Sequence, residues 1–204
     1  MRQFFVEEKL AEGETHSFSF QQKHHVCDVL RMRNGDDVRI VDTEGSVFLA
    51  SVVIDASFAG YTVKEKLENS ENERMTVLCA ALVKKEKWEL IIQKACELGV
   101  SLIVPLITER TIIRLDDKET AKKLQRYNKI ALEACQQSNR GKIVEVAEPI
   151  KLKDISLYRQ KTSFVCYENE DDLKITDLDL KQDVCFVIGP EGGFSAKEID
   201  FLKS

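Results

Sequence analysis

The sequence predicts an α/β layer fold preceded by a small β-rich module, and three observations carry that reading. From Thr76 onward, short apolar runs alternate with longer stretches of helical period, the pattern of a layered α/β fold. Before residue 66 the apolar runs are brief and turn signals are frequent, so strands dominate there. Between the two parts, EKLENSENER (65–74) has no apolar period and cannot enter a core, which places the domain boundary within it. With 204 residues, 43% hydrophobic and 32% charged, the chain can bury real cores in one or two domains and is neither disordered nor collagen-like.

In the N-terminal part, residues 22–32 carry Val26, Val29 and Leu30 at helical spacing, and the helix stops near Asn34-Gly35. Residues 38–42 and 47–54 are rich in β-branched side chains and flank a Gly-containing connection ending at Gly45, which predicts a hairpin. In the second part TVLCAALV (76–83), VSLIVPLI (100–107), TSFVCY (162–167) and DVCFVIG (183–189) predict strands buried on both faces, hence a parallel sheet. Trp88, Ile91, Ile92, Ala95 and Cys96 form the apolar stripe of a helix that Gly99 ends. Leu124, Tyr127, Ala131, Ala134 and Cys135 repeat that logic in a second helix, with Asp116 and Glu119 spaced as a capping box at its start.

The chain has 30 Lys+Arg against 35 Asp+Glu, a net charge of -5 that excludes a uniformly basic, nucleic-acid-coating surface. Its distribution is uneven: residues 84–142 hold 13 basic and 8 acidic side chains, whereas 1–70 hold 8 and 12. Lys84, Lys85, Lys87, Arg110, Arg114, Lys122, Lys123, Arg126, Arg140 and Lys142 can meet phosphates if the fold gathers them on one face; otherwise they are ordinary solvated helix positions. No apolar run reaches the roughly 18 residues of a membrane helix, and the opening MRQFFVEEKLAEGE has no signal-peptide core, so a cytoplasmic protein without a membrane partner is expected. The six cysteines contain no C-x-x-C pair and read as buried thiols rather than a metal site.

The segment VIGPEGGFSAKEI (187–199) is the most informative. A buried strand runs into Gly189-Pro190-Glu191-Gly192-Gly193, and Ser195 with Glu198 then caps a closing helix. Glycines let backbone N–H groups approach a ligand closely, so this loop suits a polar or anionic group; a tight strand-to-helix turn is the alternative. The loop is neither a Walker loop nor G-x-G-x-x-G.

GPEGGFS, together with KWELIIQKACELGV (87–100), Glu109-Arg110 after Pro105, EACQQSNR (133–140) and the opening MRQFFV followed by HHVCDVLRMRNGD (24–36), resembles the small-subunit ribosomal RNA uridine N3-methyltransferases of the SPOUT (α/β-knot) superfamily. The resemblance spans almost the whole chain. It implies a PUA-like RNA-binding β-barrel over residues 1–70 and a SPOUT methyltransferase domain over 73–204, working as a homodimer with S-adenosylmethionine on 16S ribosomal RNA or the small ribosomal subunit.

Carried onto this sequence, the resemblance places Gly189, Pro190, Glu191, Gly192 and Gly193 on the loop lining the cofactor pocket, with Tyr167 and Glu168 at the end of the preceding strand also meeting the cofactor. Gln137, Ser138 and Arg140 match a segment that in such enzymes approaches the neighbouring subunit's active site. Methylating N3 of uridine requires its proton to leave and the developing imidate charge to be stabilised. Arg140 suits the second task, and Glu168 or Glu191 the first. His24 and His25 read as RNA contacts or helix packing rather than catalytic bases; Arg2, Lys23, Arg31 and Arg33 complete an RNA-facing surface, with Arg110 and Arg114 as further contacts. The family continues past the closing helix into a Leu-Gly-x-Arg-Ile-Leu-Arg-x-Glu-Thr-like segment that walls the cofactor pocket. Because this chain stops at Ser204, it is expected to be a shortened form of a longer protein that binds cofactor weakly and exposes apolar surface. A non-catalytic RNA-binding protein, and a methyltransferase of the same fold acting on another RNA position, remain the competing readings.

Overall fold

The computed structural model describes residues 1–113 and 117–203, in two units: Met1–Glu71 with Gln136–Lys142, and Asn72–Cys135 with Ile143–Ser204. The first unit contains β1 (Arg2–Phe5), β2 (Thr15–Ser17), α1 (Phe20–His24) running on as a π-helical turn over His25–Val29, β3 (Asp37–Val41), β4 (Val47–Ile54) and β5 (Ala59–Leu67). The strands form one sheet in the order β1-β3-β4-β5-β2, with β1 parallel to β3 and the other neighbours antiparallel. The expected hairpin is β3–β4. Its turn is organised by Asp42, whose buried carboxylate accepts from the Glu44 and Ser46 N–H groups at 2.9 and 2.8 Å.

The sheet curls enough for Phe4 of β1 and Phe18 beyond β2 to meet at 5.3 Å between ring centres, with the Tyr61 ring tilted against Phe18 at 5.1 Å. Around them Val26, Val38, Ile40, Ala50 and Val52 close a dry core. The helix begins earlier than its apolar period indicates. Ser19 and Gln22 form a reciprocal capping box that starts it at Phe20, whose own side chain is solvent-exposed and so leaves no periodic trace. It ends where Arg31 turns left-handed at φ 52°.

The second unit runs β6 (Thr76–Ala81), α2 (Lys85–Glu97), β7 (Leu102–Ile107), α3 (Asp117–Gln137), β8 (Glu145–Val146), β9 (Ile150–Lys151), a 3-10 turn over Leu152–Tyr158, β10 (Thr162–Cys166), a second 3-10 turn over Ile175–Asp177, β11 (Val184–Ile188) and α4 (Ala196–Lys203). The sheet order is β10-β11-β6-β7-β8, with β9 also on β7, and every pairing is parallel. The prediction of a parallel sheet therefore holds, with one correction. TSFVCY is not buried on both faces: β10 is the edge strand, and Ser163 and Cys166 are exposed.

On α2, Trp88, Ile92, Ala95 and Cys96 are buried, and Gly99 at φ 95° supplies the left-handed stop. Tyr127, Ala131, Ala134 and Cys135 form the buried stripe of α3, with Tyr127 edge-on to Trp88 at 6.2 Å. Asp116, expected to cap α3, and Arg114 lie outside the described residues. Residues 136–142, which end and follow α3, pack with the first unit. Of the cysteines, Cys79, Cys96, Cys135 and Cys185 are buried, Cys27 is half-buried and Cys166 is exposed. No described helix is long and apolar enough to cross a membrane.

Candidate active site

An all-parallel sheet gathers the carboxyl ends of its strands along one edge, where the connecting loops can build a ligand crevice. Here that edge carries Thr108–Arg110 after β7, Tyr167–Glu168 after β10 and Gly189–Gly193 after β11. A cleft of about 1050 Å³ opens beside β10 and β11, reaching Tyr167, Glu168, Gly189, Pro190 and Gly193 on one side and Ile199 and Leu202 of α4 on the other.

The glycine loop is held from several directions. The Gly193 N–H donates to the Pro190 carbonyl at 2.8 Å, closing a turn with Gly193 at φ 66°. A Cβ at Gly193 would lie 2.2 Å from the Glu168 carboxylate, so only glycine lets that acid rest against the loop. The Arg110 guanidinium donates to the Gly192 carbonyl, and Lys87 Nζ reaches Glu191 Oε1 at 3.1 Å. The expected capping box is formed: Glu198 Oε2 accepts from Ser195 N at 2.9 Å, Ser195 Oγ accepts from Glu198 N at 3.4 Å, and Glu198 Oε1 also accepts from the Glu109 N–H at 2.7 Å. Glu191's own backbone N–H, and then Lys87, hold its carboxyl below the usual range.

The structure brings Tyr167, Glu168 and Gly189–Gly193 together and joins Arg110 to them, but treats the other candidates differently. Arg140 is 7% exposed and belongs to the first unit, where its guanidinium forms a two-point pair with Glu71 at 2.6 and 2.9 Å. It is not an open cation. Gln137 is exposed and Ser138 half-buried in the same segment. Arg2, Lys23, Arg31 and Arg33 are exposed on the first unit; His24 pairs with Asp28 at 2.6 Å, and His25 lies edge-on to Phe4 at 6.3 Å. Part of the basic middle segment is paired with acids: besides Arg140 and Lys87, Arg126 is bound to Glu89 and Lys123 lies 3.7 Å from Glu119. Sequence reading missed Lys87 as a loop support and Glu71 altogether. KWELIIQKACELGV pointed to the neighbourhood of the first, and no local signal marked the second. Among the described residues no group of three or more His, Cys, Asp or Glu is placed to hold a metal ion.

Residues 70–204 match the RNA methyltransferase domain family and residues 21–57 the RNA methyltransferase PUA domain, so the fold is that of an RNA methyltransferase. Within that class the chain belongs to the ribosomal RNA small subunit methyltransferase E family. It is 31% identical to the member from Mesomycoplasma hyopneumoniae over 98% of this chain and 85% of the relative, and 28% identical to that of Bacillus subtilis over 99% and 85%. The member from Neisseria gonorrhoeae, solved bound to S-adenosylmethionine, superposes with a TM-score of 0.87 at 26% identity, covering 100% of this chain and 85% of that one. A Legionella pneumophila protein solved in complex with the same cofactor gives 0.87 at 29% identity over 98% and 84%.

Proposed function

We propose that this chain methylates N3 of a specific uridine in the 16S RNA of the small ribosomal subunit, using S-adenosylmethionine, and works as a homodimer. In this reading residues 1–70 bind RNA and 73–204 carry the chemistry. The observation that carries the proposal is the Glu168–Gly193 contact at the carboxyl edge of the parallel sheet, beside a cleft of about 1050 Å³. The residues fit the cofactor: Gly189, Pro190 and Gly193 reach the lining of the cleft, and Tyr167 and Ile188 offer apolar walls. When bound, S-adenosylmethionine supplies an electrophilic methyl group on a sulfonium centre.

The chain's own residues do the rest. Glu168, exposed at the cleft, accepts the proton from uridine N3. Glu191, paired with Lys87 at 3.1 Å, orders the loop. Arg110, through the Gly192 carbonyl, fixes the loop's far side. Arg2, Lys23, His24, Arg31 and Arg33 on the first unit meet RNA phosphates and bases, with Gln137 and Ser138 as further contacts.

The test pairs two readouts: S-adenosylmethionine titrated by calorimetry, and transfer of its labelled methyl group to unmethylated small subunits. Glu168→Gln is expected to keep cofactor affinity within about threefold and to lower the transfer rate at least about a hundredfold, the usual worth of a general base. An unchanged rate would remove Glu168 from the chemistry. Saturable cofactor binding with no transfer to small-subunit RNA would leave only methylation of another RNA.

A further inference from the structure

Segment 136–142 is fastened within the first unit by groups that no part of the chemistry above employs. Glu71 is its hub. One carboxylate oxygen accepts from Arg140 Nε at 2.6 Å and from the Gly141 N–H at 2.8 Å, and the other accepts from Arg140 at 2.9 Å. Three donors on one carboxylate, with only 15% of its side chain exposed, make a charge-assisted clamp far more directional than a surface ion pair. Gln3 of β1, itself 4% exposed, supplies a second peg: its Nε2 donates to the Arg140 carbonyl at 2.7 Å, while its Oε1 accepts from Arg39 Nε at 3.2 Å.

Just before these pegs the chain takes a left-handed step at Asn139, φ 56°, the stop that asparagine readily supplies past the end of α3. The result is a rigid ridge with a buried underside, Arg140 and Gly141, and an outward side bearing Gln137 and Asn139, with Lys142 and Arg39 half-buried alongside. Amides and cations held in fixed positions are the donors that read phosphates and base edges.

We infer that Glu71 is a positioning residue for the RNA substrate: through Arg140 and Gly141 it fixes the 137–142 ridge as a recognition surface, so that Arg140 acts from below and not as the cation over the reacting base. This rests on the reading of the chain as a small-subunit RNA methyltransferase. A ridge that serves only stability has no reason to alter substrate recognition once the protein is folded. A ridge that reads RNA loses affinity for RNA when its pegs are loosened, while the cofactor's affinity stays.

The experiment measures KM for unmethylated small subunits, kcat and S-adenosylmethionine Kd for the wild-type chain, Glu71→Gln, Glu71→Asp and Gln3→Leu, at a temperature below every variant's melting midpoint. Glu71→Gln is expected to raise KM at least about tenfold with cofactor Kd unchanged, Glu71→Asp to recover part of the loss, and Gln3→Leu, which keeps the charge pair, to raise KM in the same direction. If Glu71→Gln does not fold, Gln3→Leu decides. Unchanged KM in the folded variants, or equal loss of cofactor and RNA affinity, overturns the inference. A wild-type chain that transfers no methyl group to small subunits would instead defeat the functional reading on which it rests.

Discussion

At the scale of single residues, the glycines of the 189–193 loop are not equivalent. Gly193 combines a left-handed backbone with an acid where its Cβ would go, whereas a Cβ at Gly192 would meet the Arg110 side chain at an ordinary 3.5 Å. Gly193→Ala is therefore expected to displace Glu168 and weaken S-adenosylmethionine binding at least about tenfold, and Gly192→Ala to change it little; calorimetry on the two variants separates them. Ser195 and Glu198 were legible as a capping pair because both halves lie within one turn. Glu71 and Arg140 were not: they are 69 residues apart, and a bare Arg in EACQQSNR carries no mark of the carboxylate that buries it.

At the scale of elements, α2 depends on Trp88, fully buried with its indole Nε1 making no hydrogen bond among the described residues. Trp88→Ala is expected to cost about 3–5 kcal/mol in denaturant unfolding, and Trp88→Phe distinctly less, since it keeps the ring and removes an unsatisfied donor. The Glu71 clamp gives a pH signature. Burial pushes the Glu71 carboxyl up, but Arg140's hydrogen bonds and charge and the Gly141 N–H outweigh it, leaving the group below 4.5. A depressed carboxyl stabilises fully above 4.5 and loses that contribution as pH falls through the lower folded value, so thermal stability of the wild-type chain is expected to fall more steeply below pH 4.5 than that of Glu71→Gln. Hydrophobic period revealed the helices and the central strands, because each buries a continuous stripe. It did not reveal that β10 is an edge, since an apolar run looks alike whether one neighbour or two flank it.

For the whole molecule, part of the positive charge in residues 84–142 is taken up by ion pairs, with Lys87, Lys123 and Arg126 facing carboxylates at the surface and Arg140 facing one in the interior. Arg31→Ala with Arg33→Ala is expected to flatten the slope of log affinity against log salt by about one to two contacts without changing cofactor affinity, a shift that filter binding over a salt series reads directly. The central claim, that the loop and the acid beside it serve methyl transfer to one uridine N3, is tested most directly by mass spectrometry of nucleosides from small-subunit RNA incubated with the chain and S-adenosylmethionine. The expected result is one new N3-methyluridine per subunit, lost with Glu168→Gln; a methyl group on any other base or position would contradict it.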